Sequence, residues 1–84
     1  MRAKRLKETR LRAARTAAGL RLVDLATKAG IHYATAQEID AGDREGTITT
    51  RLKISAALGD KDFSLWPESR RELRNVKRLM KSLE

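Results

Sequence analysis

The chain has no cysteine, a single histidine and no long hydrophobic run. Without cysteine there is no disulfide and no thiolate to serve as nucleophile or metal ligand. That suits a reducing compartment, and a cytoplasmic location is expected. One histidine with no paired carboxylate or cysteine spacing makes neither a metal site nor a nucleophilic triad. No catalytic residue, no metal and no cofactor are therefore expected, and the chain is read as a non-enzyme. No apolar stretch is long enough to cross a membrane, and the charged N-terminus lacks the layout of a signal peptide. At 84 residues one domain with an appendage is expected, with no room for a ligand-sensing domain and no small-molecule ligand.

What the chain does have is positive charge, +8 from 19 Lys/Arg against 11 Asp/Glu, and it is unevenly placed. Residues 1–15 hold seven basic residues against one acid, residues 67–84 six against three, and residues 16–66 six against seven. The centre is about neutral and the excess sits on the two flanks. Basic flanks suit contact with phosphates, and they also keep a small domain soluble. The lopsided N-terminal end favours phosphate contact.

The chain divides into a basic arm at 1–5, a helical domain at 6–66 and an amphipathic basic helix at 67–84. A first helix fits 6–18, with Leu11, Ala14 and Ala18 on one face and Arg10, Arg12 and Arg15 around the others. Gly19 ends it and Leu20 covers the end. A second helix opens at Arg21 and Leu22 and carries Leu25, Ala26 and Ala29 at i, i+1 and i+4. Gly30 stops it, and a third helix at 33–40 turns Ala36 and Ile39 inward. A loop at 41–46 follows, with Gly42 as the stop. Thr47 caps a fourth helix whose core face is Ile48, Leu52, Ile54 or Ser55, Ala57 and Leu58, and Gly59 ends it. Residues 60–65 form a short fifth helix or turn anchored by Phe63, Leu65 and Trp66.

The one proline, Pro67, fits the first position of a last helix, with Glu68 favourable to its dipole. Leu73, Val76, Met80 and Leu83 then recur at intervals of 3, 4 and 3, with Leu79 beside them. That stripe is too short for an independent coiled coil. It can pair with its twin in a homodimer or fold back on the domain, and pairing is the expectation adopted.

The stretch 22–40 organises the rest. A small residue at Ala26 lets two short helices cross closely at Gly30, as in a helix-turn-helix. Leu25-Ala26, Gly30-Ile31 and Ile39 stand at spacings that resemble the lambda-repressor-like, Cro/C1-type (XRE) helix-turn-helix family. Gly19-Leu20 and the passage 47–65 resemble it too, so the likeness covers about residues 7–66. There are departures. Arg21 and Leu22 stand where the family often has a Ser/Thr cap and a phosphate-touching glutamine, and Ala36 stands where it usually has a larger branched residue.

The resemblance implies an all-α, five-helix DNA-binding domain, here with an additional basic C-terminal helix. Its partner would be double-stranded DNA, read in the major groove by the helix from Tyr33 to Asp40. Base-facing positions would be Tyr33, Ala34 and Glu38, with Thr35 and Gln37 alongside. Gln37 has the amide best suited to adenine, while Glu38 suits either a cytosine amine or a pair within the protein. Phosphate contacts would come from Arg2, Lys4, Arg5, Arg15, Arg21, His32, Arg44 and Arg51. The resemblance also implies an ion pair between Arg15 and Asp40. One such helix sees few base pairs, so a homodimer or tandem copies are expected, and Leu73, Val76, Met80 and Leu83 are the dimerisation candidates. The expected function is sequence-specific transcriptional regulation, in the manner of a small phage-type repressor, a controller or an antitoxin-like regulator. The rival readings are a protein-interaction module that docks through the C-terminal stripe, and nonspecific nucleic-acid coating by the flanks.

Overall fold

The computed structural model describes residues 9–82. The arm with Arg2, Lys4 and Arg5, together with Leu83, lies outside them. The described chain is all-α: α1 (Arg10–Ala17), α2 (Leu22–Ala29), α3 (Tyr33–Ala41), α4 (Ile48–Leu58) and, after a 3₁₀ turn at Pro67–Ser69, α5 (Arg70–Ser82).

Side chains set the helix ends. Thr9 is extended, with ψ 158°, and its Oγ1 accepts from the Arg12 N–H at 3.0 Å. The first helix therefore begins at Arg10 and not at residue 6 as the periodicity suggested. It also ends early, leaving Ala18 exposed where an inward face was expected. Arg21 has no acceptor with which to cap α2, yet that end is tied from the other side. Asp24 Oδ2 accepts from the Arg21 backbone N–H and from its Nε, both at 3.0 Å. Gly30, at φ 71°, closes α2 in the left-handed region that glycine enters without a Cβ clash. Thr47 caps α4 as expected, accepting from the Thr50 N–H at 3.1 Å.

Residues 60–65 make a turn, so the described residues up to 66 form four α-helices where the resemblance implied five. The cause is Asp60. Its Oδ1 accepts from the Ser64 N–H at 3.0 Å and the Ser64 hydroxyl at 2.8 Å, and its Oδ2 from the Leu65 N–H at 3.0 Å. A carboxylate that takes those donors offers the backbone an alternative to helix. The turn puts Phe63 at φ 56°, a strained conformation for a residue with a Cβ, and its ring is buried.

The core draws on every helix: Leu11 from α1, Leu25 and Ala29 from α2, Ile39 from α3, Ile54 and Ala57 from α4, and Leu73 from α5, closed by Phe63, Leu65 and Trp66. Ile54 and Ser55, offered as alternatives by the sequence, are both buried. Ser55 is satisfied there because its hydroxyl accepts from Trp66 Nε1 at 2.8 Å.

The C-terminal stripe splits. Leu73 is 0 % exposed in the domain's own core, so it is unavailable for dimerisation, and Val76 is half-buried. Leu79 at 65 % and Met80 at 52 % exposure remain on the surface. α5 packs on α4 through its first turns, which is the fold-back arrangement for that part of the stripe.

Arg51, expected at a phosphate, is also claimed by the interior. Its Nε donates to the Glu45 carbonyl at 2.8 Å, and its Nη1 to Ser69 Oγ at 2.6 Å with Glu68 Oε2 at 3.0 Å. The guanidinium lies 4.9 Å from the Trp66 ring centroid. A side chain with its donors so committed, and 7 % exposed, is a structural clamp.

Leu73→Ala is expected to lower unfolding free energy by about 2–5 kcal/mol, whereas Leu79→Ala should change it by less than about 0.5 kcal/mol. Urea denaturation of the two variants checks this, and equal effects would contradict the split of the stripe.

Candidate nucleic-acid interface

α3 has one face in the core and one in solvent. Ala36, Ile39 and Asp40 are buried, at i, i+3 and i+4. Tyr33, Ala34 and Gln37, at i, i+1 and i+4, are exposed, and Thr35 and Glu38 border them half-exposed. The structure thus brings together all five residues expected to face bases. Tyr33 is 49 % exposed at the helix start. Ahead of it His32 is extended, exposed and makes no cap hydrogen bond, so among the described residues no side chain caps the first-turn N–H groups. Uncovered N–H groups at the positive end of a helix favour an anion.

The exposed face is held by a buried acid. Asp40 is 0 % exposed. Its Oδ1 takes Arg15 Nε at 2.8 Å, and its Oδ2 takes Arg12 Nε at 2.9 Å and Arg15 Nη2 at 3.2 Å. Thr9 Oγ1 donates to the Asp40 carbonyl at 2.8 Å, and Arg15 Nη1 to the Leu20 carbonyl at 2.9 Å. Burial by itself would raise the Asp40 pKa, but the hydrogen bonds from Arg15 and Arg12 outweigh it and hold the carboxyl below its ordinary 3.8. The Arg15–Asp40 pair was expected, while Arg12 and Thr9 were missed as members. Their signals were present: Arg12 is one turn before Arg15 on the same face, and Thr9 is a cap residue just ahead of the first helical position.

The other basic candidates are distributed differently. Arg44 meets Glu38 at 3.0 Å, with side chains 56 % and 45 % exposed, so Glu38 makes the pair within the protein and its charge is offset beside the face. Arg21 is exposed and held by Asp24 through Nε at 3.0 Å and Nη2 at 3.1 Å. That contact lowers the Asp24 pKa.

Asp40→Asn leaves two arginines facing a group that cannot neutralise them, and should destabilise the fold by about 3 kcal/mol. The native pKa lies below the unfolded one, so this contribution is complete above the ordinary carboxyl value of 3.8 and is lost as pH falls through the native pKa. Unfolding free energy followed from about pH 7 to about pH 3 should fall less steeply in Asp40→Asn than in the parent. Parallel acid limbs would contradict the role of the clamp.

No protein-family model matches the chain, and no curated protein or solved structure matches it either.

Proposed function

We propose that the protein is a sequence-specific DNA-binding transcriptional regulator with a helix-turn-helix of the lambda-repressor-like, Cro/C1-type kind, in which α2 supports and α3 reads the major groove. The observation that carries this reading is the solvent face of α3. Tyr33, Ala34 and Gln37 form an unobstructed N-terminal face on a helix whose opposite side is locked to α1 through Asp40. A reading helix must be rigidly aimed, because hydrogen bonds to base edges tolerate little misplacement. Gln37 supplies the amide for adenine, Tyr33 a ring for a thymine methyl or a hydroxyl for a phosphate, and Ala34 close approach. His32 and the first-turn N–H groups receive a phosphate, with Arg44 and Arg21 as further contacts, while Arg15, its donors committed to Asp40 and Leu20, positions the helix. Two copies on adjacent half-sites supply the sequence length that one helix cannot.

Against a pure protein-interaction role for α3 stands the pairing of Glu38 with Arg44 at 3.0 Å, which removes the acid that would attract a basic partner. Nonspecific coating has no use for a fixed, exposed Gln37.

Selection of tight-binding duplexes from a random pool at about 150 mM salt, which suppresses pure phosphate binding, tests the reading. The expected product is a shared motif with half-site centres about 34 Å apart. Gln37→Ala should then weaken binding to it by about 1–3 kcal/mol while leaving binding to unrelated duplex unchanged. Recovery of no motif, with binding that is steep in salt and blind to sequence, would overturn specific readout.

A further inference from the structure

A cleft of about 480 Å³ opens between the C-terminal half of α4 and the exposed half of α5. Leu52 and Ala56 line it from α4 and Met80 from α5, and Lys61, Lys77 and Lys81 stand around it. α3 contributes no residue to it. We propose that this groove is a docking site for an acidic amphipathic helix of a partner protein.

Three observations lead there. The first is shape. Leu52, Ser55 and Ala56 on α4, with its cap Gly59, recur at i, i+3, i+4 and i+7, and Lys77, Met80 and Lys81 at i, i+3 and i+4 on α5, so two helix faces flank an open trough. The α4 wall from 52 to 59 is about 10 Å long, the rise of about two helical turns. A helix laid into such a trough anchors through residues one turn apart.

The second is charge. The one acid in the lining, Asp60, is taken up by hydrogen bonds from Ser64 and Leu65, and three lysines outnumber it at the opening. Lys77 lies 5.6 Å over the Phe63 ring, which holds its ammonium at the edge of the cleft. Lys61 and Lys81 have no ion-pair partner among the described residues.

The third sets aside α5 of a second copy as the occupant. The α5 sequence RRELRNVKRLMKS has six basic residues and one acid, so α5 of one copy in the groove of another would bring like charges together. An acidic helix with an apolar face meets both demands: its apolar side covers Leu52, Ala56 and the adaptable Met80, and its carboxylates meet the lysines.

The test uses the full chain and a fluorescent synthetic helix of about 18 residues, long enough to be helical, with leucines on one face and glutamates on the other. Two controls accompany it, the same composition shuffled to destroy the face and the same face with lysine for glutamate. Fluorescence anisotropy should show saturable binding of the probe, about tenfold weaker for either control. Methyl resonances of Leu52, Ala56 and Met80 should move on titration while those of Ala34 and Thr35 stay still. Ala56→Trp, which fills the trough from an exposed position, and Lys61→Glu with Lys81→Glu, which reverses its rim, should each weaken binding about tenfold. Circular dichroism of both variants establishes that they keep the fold, and the two act independently, so loss of one to misfolding leaves the other decisive. Equal binding of the shuffled peptide, shifts confined to α3, or binding unaffected by the folded variants would overturn the proposal. So would sedimentation of the chain alone as a dimer that Ala56→Trp dissociates, which would make a second copy the occupant. Because the readouts lie on α4 and α5, they succeed or fail whether or not α3 reads DNA.

Discussion

The fold turns on one buried carboxylate. An ionised acid shielded from water is tolerated only where hydrogen-bond donors replace the lost hydration, and Asp40 has them from two arginines of α1. Those donors do more than neutralise. Arg12 and Arg15 are one turn apart on α1, and both reach the last full turn of α3, so the crossing of the two helices is specified at two points. Thr9 adds a third by donating to the Asp40 carbonyl while capping α1. The residue that starts α1 is thereby tied to the end of α3. Two guanidiniums on one carboxylate also leave positive charge at the C-terminal end of α3, where the helix dipole is negative. The solvent face of α3 is rigid because its opposite edge is held in this way.

A second guanidinium does for the other end of the molecule what the Asp40 clamp does for α3. Arg51 joins the loop after α3, through the Glu45 carbonyl, to the turn that starts α5, through Ser69 and Glu68, and it lies over Trp66. The loop it holds runs close to α3. A Cβ added at Gly46 would stand 3.0 Å from Ile39 Cδ1, and the backbone there has φ 83°, a conformation that favours glycine. Arg44, two residues before Gly46, is thus set where it meets Glu38. A residue with the composition of a phosphate contact fixes, from the interior, where another basic residue can stand.

The parts of the fold readable in the sequence are those governed by local rules. The stops at Gly30, Gly42 and Gly59, the Thr47 cap and the inward turn of Leu25, Ala29 and Ile39 follow from periodicity and backbone preference, and the structure has them. The set Tyr33, Ala34 and Gln37 came instead from the family resemblance, and it is exposed as the complement of the buried face of α3. What was not legible depended on contacts distant in sequence. Leu73 belongs to a heptad-like stripe in the sequence, and only the packing of α5 on α4 separates it from Leu79 and Met80. Arg51 looks like any surface arginine until Ser69 and Trp66 come round to meet it. At 60–65 helix and turn were both open, because an aspartate that suits a helix start also suits a loop, and the choice of turn rests on where Ser64 and Leu65 direct their N–H groups. Spacing puts Arg12 on the face of Arg15 but does not say which acid an arginine will find; the resemblance supplied the partner for Arg15 alone.

Net charge misleads in the same way, and the reason bears on function. Arg12, Arg15, Arg21, Arg44 and Arg51 all have carboxylate partners. Their charge is largely offset within a short distance and contributes little field beyond it. Arg71, Arg74, Arg78 and Lys81 on α5 have no such partner among the described residues. With Arg70 and Lys77 they recur at i, i+1, i+4, i+7, i+8 and i+11, which is one face of a helix. The positive potential of the described molecule therefore belongs chiefly to α5, whereas the face proposed to read bases belongs to α3. An extended polyanion would be steered chiefly by a helix that does not read it, and that attraction would weaken with salt. Lys77 and Lys81 belong both to this field and to the rim of the α4–α5 groove. An acidic segment bound in that groove would neutralise part of the field without touching α3, and would slow association with a polyanion more than it would speed release.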